Sequence, residues 1–434
     1  MKKRLGNITN IKGLLPLLRA LIPIRLLFYL IQDSKDIQKT NFILQSLYVS
    51  ANINEKSVEE EVIDLLRHFP NGAQEQNHIR LPSSTLSARH VAGSDSRDKK
   101  DNVRAAFWVE IAVLIDPTVW DFFSRLVETN SVQDKDALVQ SKIREAFSLY
   151  LHGADRLYSE IDDTSIEISI TLRTFFFLKT DEFEHIYSLV ITRKGKSYID
   201  AHKYLKDLKH WDRTVGSQSG IEYDHAMLFT RHDLFSGSIK HNENTGASYR
   251  GRVCDTGKRV SVIEMGDFFT TVTNAAHELG HNLGAYHDGD REAKDCDPKD
   301  AFIMAPENKI FYKHEPYSRN PWMFSNCSIE SFKKILNNKT CVTNKGVFFN
   351  DTEWMKYVEK EPGEVYTLNN QCALINGPNS EFCGVVSPAI CLFMECTDPK
   401  TNRCMSTHFS AARGTYCGKY MWCIEGMCVA KDLK

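Results

Sequence analysis

The first 253 of 434 residues contain no cysteine. That stretch can form no disulfide, and no thiol within it can act as nucleophile or metal ligand. Long uncharged apolar runs are also missing. The most apolar stretch, Leu14 to Ile31, is broken by Arg19 and Arg25, so no segment reads as a transmembrane anchor. The same break interrupts a secretory leader, although Lys2, Lys3 and Arg4 have the charged start of one. Net charge is nearly absent, at −2, and gives no argument for nucleic acid or an anionic membrane as partner. The paired CxxC spacing of zinc ribbons does not occur. What is present is an even set of twelve cysteines, all at or after Cys254. Such crowding predicts disulfides and an oxidising, extracellular compartment.

The most informative segment is His277-Glu-Leu-Gly-His281-Asn-Leu-Gly284-Ala-Tyr-His287-Asp288. Residues four apart share one face of a helix, so His277 and His281 can reach one metal ion. Glu278 follows the first ligand directly, beside the position an attacking water would take. Gly284 permits a positive φ, so the helix can stop and the chain can return His287 as third ligand. Three imidazoles leave a fourth zinc position open, and zinc lowers the pKa of water there towards about 7. Glu278 is then the candidate general base, and later the acid that protonates the leaving amine. Met304, in Ala301-Phe-Ile-Met304-Ala-Pro306, lies seventeen residues beyond His287.

The extended motif HELGHNLGAYHD followed by IMAP resembles the reprolysin (adamalysin) branch of the metzincins. That branch holds the snake-venom metalloproteases, the ADAM and ADAMTS families and the tick salivary metalloproteases. The resemblance spans roughly residues 105 to 430. It implies an α/β catalytic domain with a mixed, mostly parallel five-stranded sheet above a cleft, and Met304 as an apolar floor beneath the zinc. It also implies a structural calcium site made by Glu110, Asp224, the carbonyl of Cys341, and Asn344, and oxygen ligands suit calcium.

Apolar runs place strands at Val109–Asp116, Ile166–Phe175, Ala226–Thr230 and Val260–Glu264, and helices at Leu138–Leu157 and Tyr204–Trp211. Asn244–Cys254 matches the family's edge strand, where an extended peptide can add. The loop from Pro306 to Trp322 is expected to shape specificity. Four domains are expected: 1–104 leader and propeptide, 105–345 zinc metalloprotease, 346–366 linker, and 367–434 a disintegrin-like, cysteine-rich module. The hydrophilic run from Ser94 to Asp101 is the expected processing region. With no cysteine before it, latency must come from a carboxylate, a histidine or steric cover.

The text QCALINGPNSEFC through HFSAARGTYCGKYMWCIEGMCV resembles the ADAMTS disintegrin-like module. It has no Arg-Gly-Asp, so integrin binding is not supported. The short architecture, without a Trp-Ser-x-Trp repeat, resembles the tick salivary proteases more than full-length ADAMTS enzymes. Four cysteines in the catalytic part allow three connectivities. The resemblance implies Cys254–Cys341 and Cys296–Cys327. In the module it implies Cys372–Cys396, Cys383–Cys404, Cys391–Cys423 and Cys417–Cys428. Sequons stand at Asn7, Asn326, Asn338 and Asn350. The reading is a secreted zinc endopeptidase, a glycoprotein hydrolase made as a zymogen, cleaving extracellular proteins or peptides. The alternative is a catalytically silent adhesive protein acting through its tail, against which the intact Glu278 and histidines speak. A chain ending near Asn350 is expected to keep short-peptide cleavage and lose efficiency on large substrates.

Overall fold

In a computed structural model, residues 104–127, 132–178, 189–240, 243–306, 319–344, 356–357 and 360–430 are described. The expected propeptide and most of the Pro306–Trp322 loop lie outside them. The first strand, β1 (Ala105–Ile115), is apolar on both faces because it runs through the middle of the sheet. Asp116 ends it and caps helix α1 (Pro117–Leu126), with proline in the first turn. Long helix α2 (Val132–Ser159) leads to β2 (Ile166–Phe177). There Ile166, Ile168 and Ile170 are buried in alternation, with more exposed residues between them.

A charged hairpin, β3 (Ile191–Arg193) and β4 (Lys196–Asp200), precedes α3 (Ala201–Trp211), capped by Asp200. Then come β5 (His225–Thr230), β6 (Asp233–Phe235), β7 (Gly246–Ser248), β8 (Val260–Glu264) and helix α4 (Phe268–Asn282). The main sheet has the order β2-β1-β5-β8-β7. Its first four strands are parallel, and β7 is an antiparallel edge. A smaller sheet, β3-β4-β6, stands beside it.

Two cores form because the sheet is covered on both faces. Val109, Ile111 and Val113 of β1 pack with Phe147 and Tyr150 of α2 and with Val272, Ala276 and Leu279 of α4. Ala112 and Leu114 face Tyr204, Leu205 and Leu208 of α3. Helix α4 is therefore held between sheet and helix, which fixes the direction of its histidines.

After helix α5 (Asn326–Leu336) the chain reaches the cysteine-rich module. This comprises short α6 (Pro362–Val365), α7 (Leu368–Asn376), a hairpin β9 (Met394–Thr397) and β10 (Cys404–Phe409), and a three-stranded sheet of β11 (Tyr416–Gly418), β12 (Met421–Ile424) and β13 (Met427–Ala430). Its core is mostly cystine: Cys372, Cys391, Cys396, Cys417 and Cys423 cluster with Ile390, Met394 and Ala411. The disulfides are Cys254–Cys341, Cys296–Cys327, Cys372–Cys396, Cys383–Cys404, Cys391–Cys423 and Cys417–Cys428.

Residues 362–366, expected as the end of a linker, are folded. Glu361 and Glu364 form a reciprocal cap. Tyr366 is buried, and its hydroxyl and that of Tyr357 both donate to the Glu145 carboxylate of α2 at 3.0 Å. Tyr366, Leu374 and Ala412 belong to the same apolar cluster as Phe268 and Val272. Arg413 spans the seam, with ion pairs to Glu160 (3.0 Å), Glu361 (3.2 Å) and Glu425 (3.4 Å). Among the described residues, no helix is long and apolar enough to cross a membrane.

Candidate metal centre

Helix α4 carries the site because both of its ends are fixed. Asp267 caps the start and accepts from the amide of Thr270 at 3.1 Å. At the other end, the amides of Gly251, Arg252 and Val253 donate to the carbonyls of His281 and Asn282. Carbonyls in a helix's last turn lack partners within the helix, and the loop amides join Gly284 in serving them. Gly284 then turns the chain at φ 116°, where an added Cβ would stand 2.4 Å from the Ile335 side chain. Only glycine suits that position on both counts.

The turn brings back His287. Its Nε2 stands 3.2 Å from Nε2 of His277 and 3.1 Å from Nε2 of His281. The far nitrogens fix the tautomers of the two helical histidines. His277 Nδ1–H donates to the carbonyl of Ile303 at 2.7 Å, and His281 Nδ1–H to that of Ala285 at 2.9 Å. A carbonyl can only accept, so the proton sits on Nδ1 and the Nε2 lone pair faces inward. Burial, reinforced by the neighbouring imidazoles, pushes His277 far below its usual pKa and His281 down to about 4; burial also lowers His287. Neutral imidazole is the form that binds metal.

Inward lone pairs this close fit a cation. Four-coordinate zinc with nitrogen ligands at about 2.0–2.1 Å would space those nitrogens roughly 3.3 Å apart. These three histidines are one of the groups able to hold a metal ion among the described residues.

Glu278 is 5% exposed, and its Oε2 has no hydrogen-bond partner among the described residues. Burial raises its carboxyl to about 8. A cation beside it favours the ionised form. Gly246, on edge strand β7, allows the approach. A Cβ there would lie 2.4 Å from Glu278 Oε1. Sequence reasoning missed this glycine, because the contact depends on the β7–β8 register, in which Gly246 pairs with Ile263.

Met304, expected as the apolar floor, is fully buried. Gly280 lets the helix rest on it, since a Cβ there would be 2.6 Å from the Met304 sulfur. The Met304 carbonyl accepts from the amide of Asp288 at 2.9 Å. Asp288 in turn accepts from Ser325 Oγ at 2.6 Å, and Ser325 caps α5. The carbonyls of Ile303 and Met304 thus secure both ends of the ligand segment.

The residues expected to bind calcium are partly gathered. The amides of Glu110 and Asp224 bond across to the carboxylate and carbonyl of the other at 2.9 Å. Asp224 lies against the Cys254–Cys341 disulfide. Val342 is tied to Trp108 of β1. Asn344, two residues on, is exposed. Burial raises Asp224 to about 7, against the Glu110 amide, whose hydrogen bond favours the carboxylate.

Comparison with known proteins finds two family matches. Residues 194–346 match the Reprolysin (M12B) family zinc metalloprotease, and residues 362–429 match ADAMTS cysteine-rich domain 2. "A disintegrin and metalloproteinase with thrombospondin motifs 20" of Homo sapiens is 31% identical over 240 residues, covering 54% of this chain and 12% of that protein. "A disintegrin and metalloproteinase with thrombospondin motifs 7" of Rattus norvegicus is 29% identical over 351 residues, covering 78% of this chain and 19% of that protein. The chain thus spans less than a fifth of these relatives. Metalloproteinase-II from Bacteroides fragilis, a solved structure, is 14% identical with a TM-score of 0.28 over 55% of this chain and 54% of its own. That likeness is too loose to carry an argument. By its two family matches, the chain carries a reprolysin (M12B) domain followed by an ADAMTS cysteine-rich domain.

Proposed function

We propose that this chain is a secreted zinc endopeptidase that cleaves extracellular or matrix proteins. The observation that carries the reading is the convergence of three imidazoles, each with Nε2 within 3.2 Å of another, beside a buried carboxylate. His277, His281 and His287 would hold the ion, which when bound supplies Lewis acidity to water and carbonyl. Glu278 takes the proton of the attacking water and passes it to the leaving amine. Burial removes competing solvent from that carboxylate. Edge strand β7 offers unpaired backbone groups to an extended substrate.

The domain plan that accompanies this reading is that expected from the sequence, 1–104 leader and propeptide, 105–345 protease, 346–366 linker and 367–434 module, except that Pro362–Tyr366 pack with the module. Asp224 is the centre of a structural calcium site with Glu110, the Cys341 carbonyl and Asn344. The Asp224 carboxylate, buried against the Cys254–Cys341 disulfide and paired with the Glu110 backbone, supports a cation there. Exposed Asn338 is a candidate glycosylation site.

The decisive experiment is Glu278→Ala in the processed protein. Zinc content should stay near one per chain while peptide cleavage falls by about 100- to 10,000-fold. Cleavage at the parent rate would remove Glu278 from its role.

A further inference from the structure

The turn between β12 and β13 is a two-residue hairpin, Glu425-Gly426, closed by the pair Ile424 and Met427. Both residues have positive φ, 47° and 74°, as a tight primed turn requires. The tip does not face solvent. It seats against the catalytic domain at the short turn Asn320–Trp322. A Cβ on Gly426 would stand 2.4 Å from Cη2 of the Trp322 ring. The Glu425 carboxylate, 6% exposed, pairs with Arg319 at the head of that turn and with Arg413.

From Trp322 the contacts lead to the metal ligands. The ring of Trp322 packs on Phe269 of α4, with centroids 4.8 Å apart. The next residue, Met323, accepts through its carbonyl from the amide of Ile303 at 2.9 Å. The carbonyl of Ile303 is the acceptor that orients the His277 ring, at 2.7 Å. Partners of this kind set a ligand's direction and basicity, and their loss typically weakens metal binding by about 10- to 100-fold.

We propose that the Glu425-Gly426 tip is a positioning element for the metal centre. By clamping Arg319 and Trp322 it holds the Met323 carbonyl, which holds Ile303, which holds His277. The cysteine-rich module then contributes to zinc affinity through the peptide backbone without touching the ion. This inference rests on the zinc reading of the three histidines.

The test measures zinc affinity by chelator competition on the full chain, with the melting temperature of the metal-free protein beside it. Glu425→Gln keeps the tip's shape and removes its charge. Trp322→Ala removes the seat and leaves the module's disulfides alone. Glu292→Gln, on a surface ion pair with Lys334, is the control. Zinc affinity should fall about tenfold in Glu425→Gln with the metal-free melting temperature unchanged, and in Trp322→Ala, which also loses packing against Phe269, by more than its lower metal-free melting temperature accounts for, with the control silent. Unchanged affinity in both variants overturns the proposal. So does a loss of affinity that merely follows a matching loss of metal-free stability, which would mean a general structural role. A parent chain that binds no zinc would instead sink the metal centre itself.

Discussion

Ending the chain at Asn350 tests whether the catalytic domain stands alone. The sequence suggests that it does, since the sheet and its helices lie before that point. The packing argues otherwise. Tyr366 and Leu374, 7% and 3% exposed, share a core with Phe268 and Val272 of the metal-carrying helix. Burying side chains of that size is worth about 1.5–3 kcal/mol each, so losing both removes roughly 3–6 kcal/mol. The Glu145 carboxylate also loses two tyrosine donors, and Glu160 loses Arg413. Whole domains are stable by only about 5–15 kcal/mol. At about 2–4 °C per kcal/mol, the melting temperature should drop by at least about 6 °C. The assay is thermal unfolding of the shortened and full chains, each with saturating zinc, followed by cleavage of a short peptide at rising temperature. The shortened chain should cleave when cold and inactivate on warming. Tyr366→Ala in the full chain should reproduce part of the loss. A shortened chain that melts with the full one would refute the shared-core argument.

Gly246→Ala places a methyl against the Glu278 carboxylate; kcat should fall at least tenfold, by analogy with misplaced catalytic groups, while metal analysis shows zinc retained. Calcium chelation under zinc-replete conditions should lower the melting temperature, because a ligand of the native state stabilises it by mass action. Asp224→Asn should abolish that sensitivity, and a chelation effect of equal size in the variant would reject the calcium assignment. Acid should loosen the seam through His152, buried near Arg156, Glu361 and Arg413, whose pKa burial lowers from 6.5 to about 4. Its neutral form is favoured in the folded state, so the stabilisation is complete above pH 6.5 and is lost as pH falls towards 4. Between pH 7 and 5 the parent should lose about 2 kcal/mol relative to His152→Gln; parallel denaturation curves would exclude the histidine.

Much of the fold was legible because its signals are local. The apolar runs of β1, β2, β5 and β8 are buried by a two-sided core, and their sequence shows it. The metal motif is equally local, within twelve residues of one helix and its turn. Helix α1 went unread although its Asp116 cap and following proline are ordinary start signals. Strand β3 is three exposed residues and β4 only five with one buried, so no periodicity marks them. The Gly246 contact and the seam with the module were illegible for a different reason. Gly246 meets Glu278, and Tyr366 meets Glu145, through tertiary register alone. No window of sequence contains both members of either pair.

A module whose core is made of half-cystines has no docking face until its thiols are oxidised. During synthesis the protease portion emerges first, with Phe268 and Val272 awaiting Tyr366, Leu374 and Ala412. Completion of the seam is therefore timed by redox chemistry, and metal supply alone cannot hasten it. Recovery of folded protein from a reduced, denatured chain should follow the thiol–disulfide poise of the buffer. Until the bridges close, the apolar flank of the metal helix is the surface at which unfinished chains would meet one another.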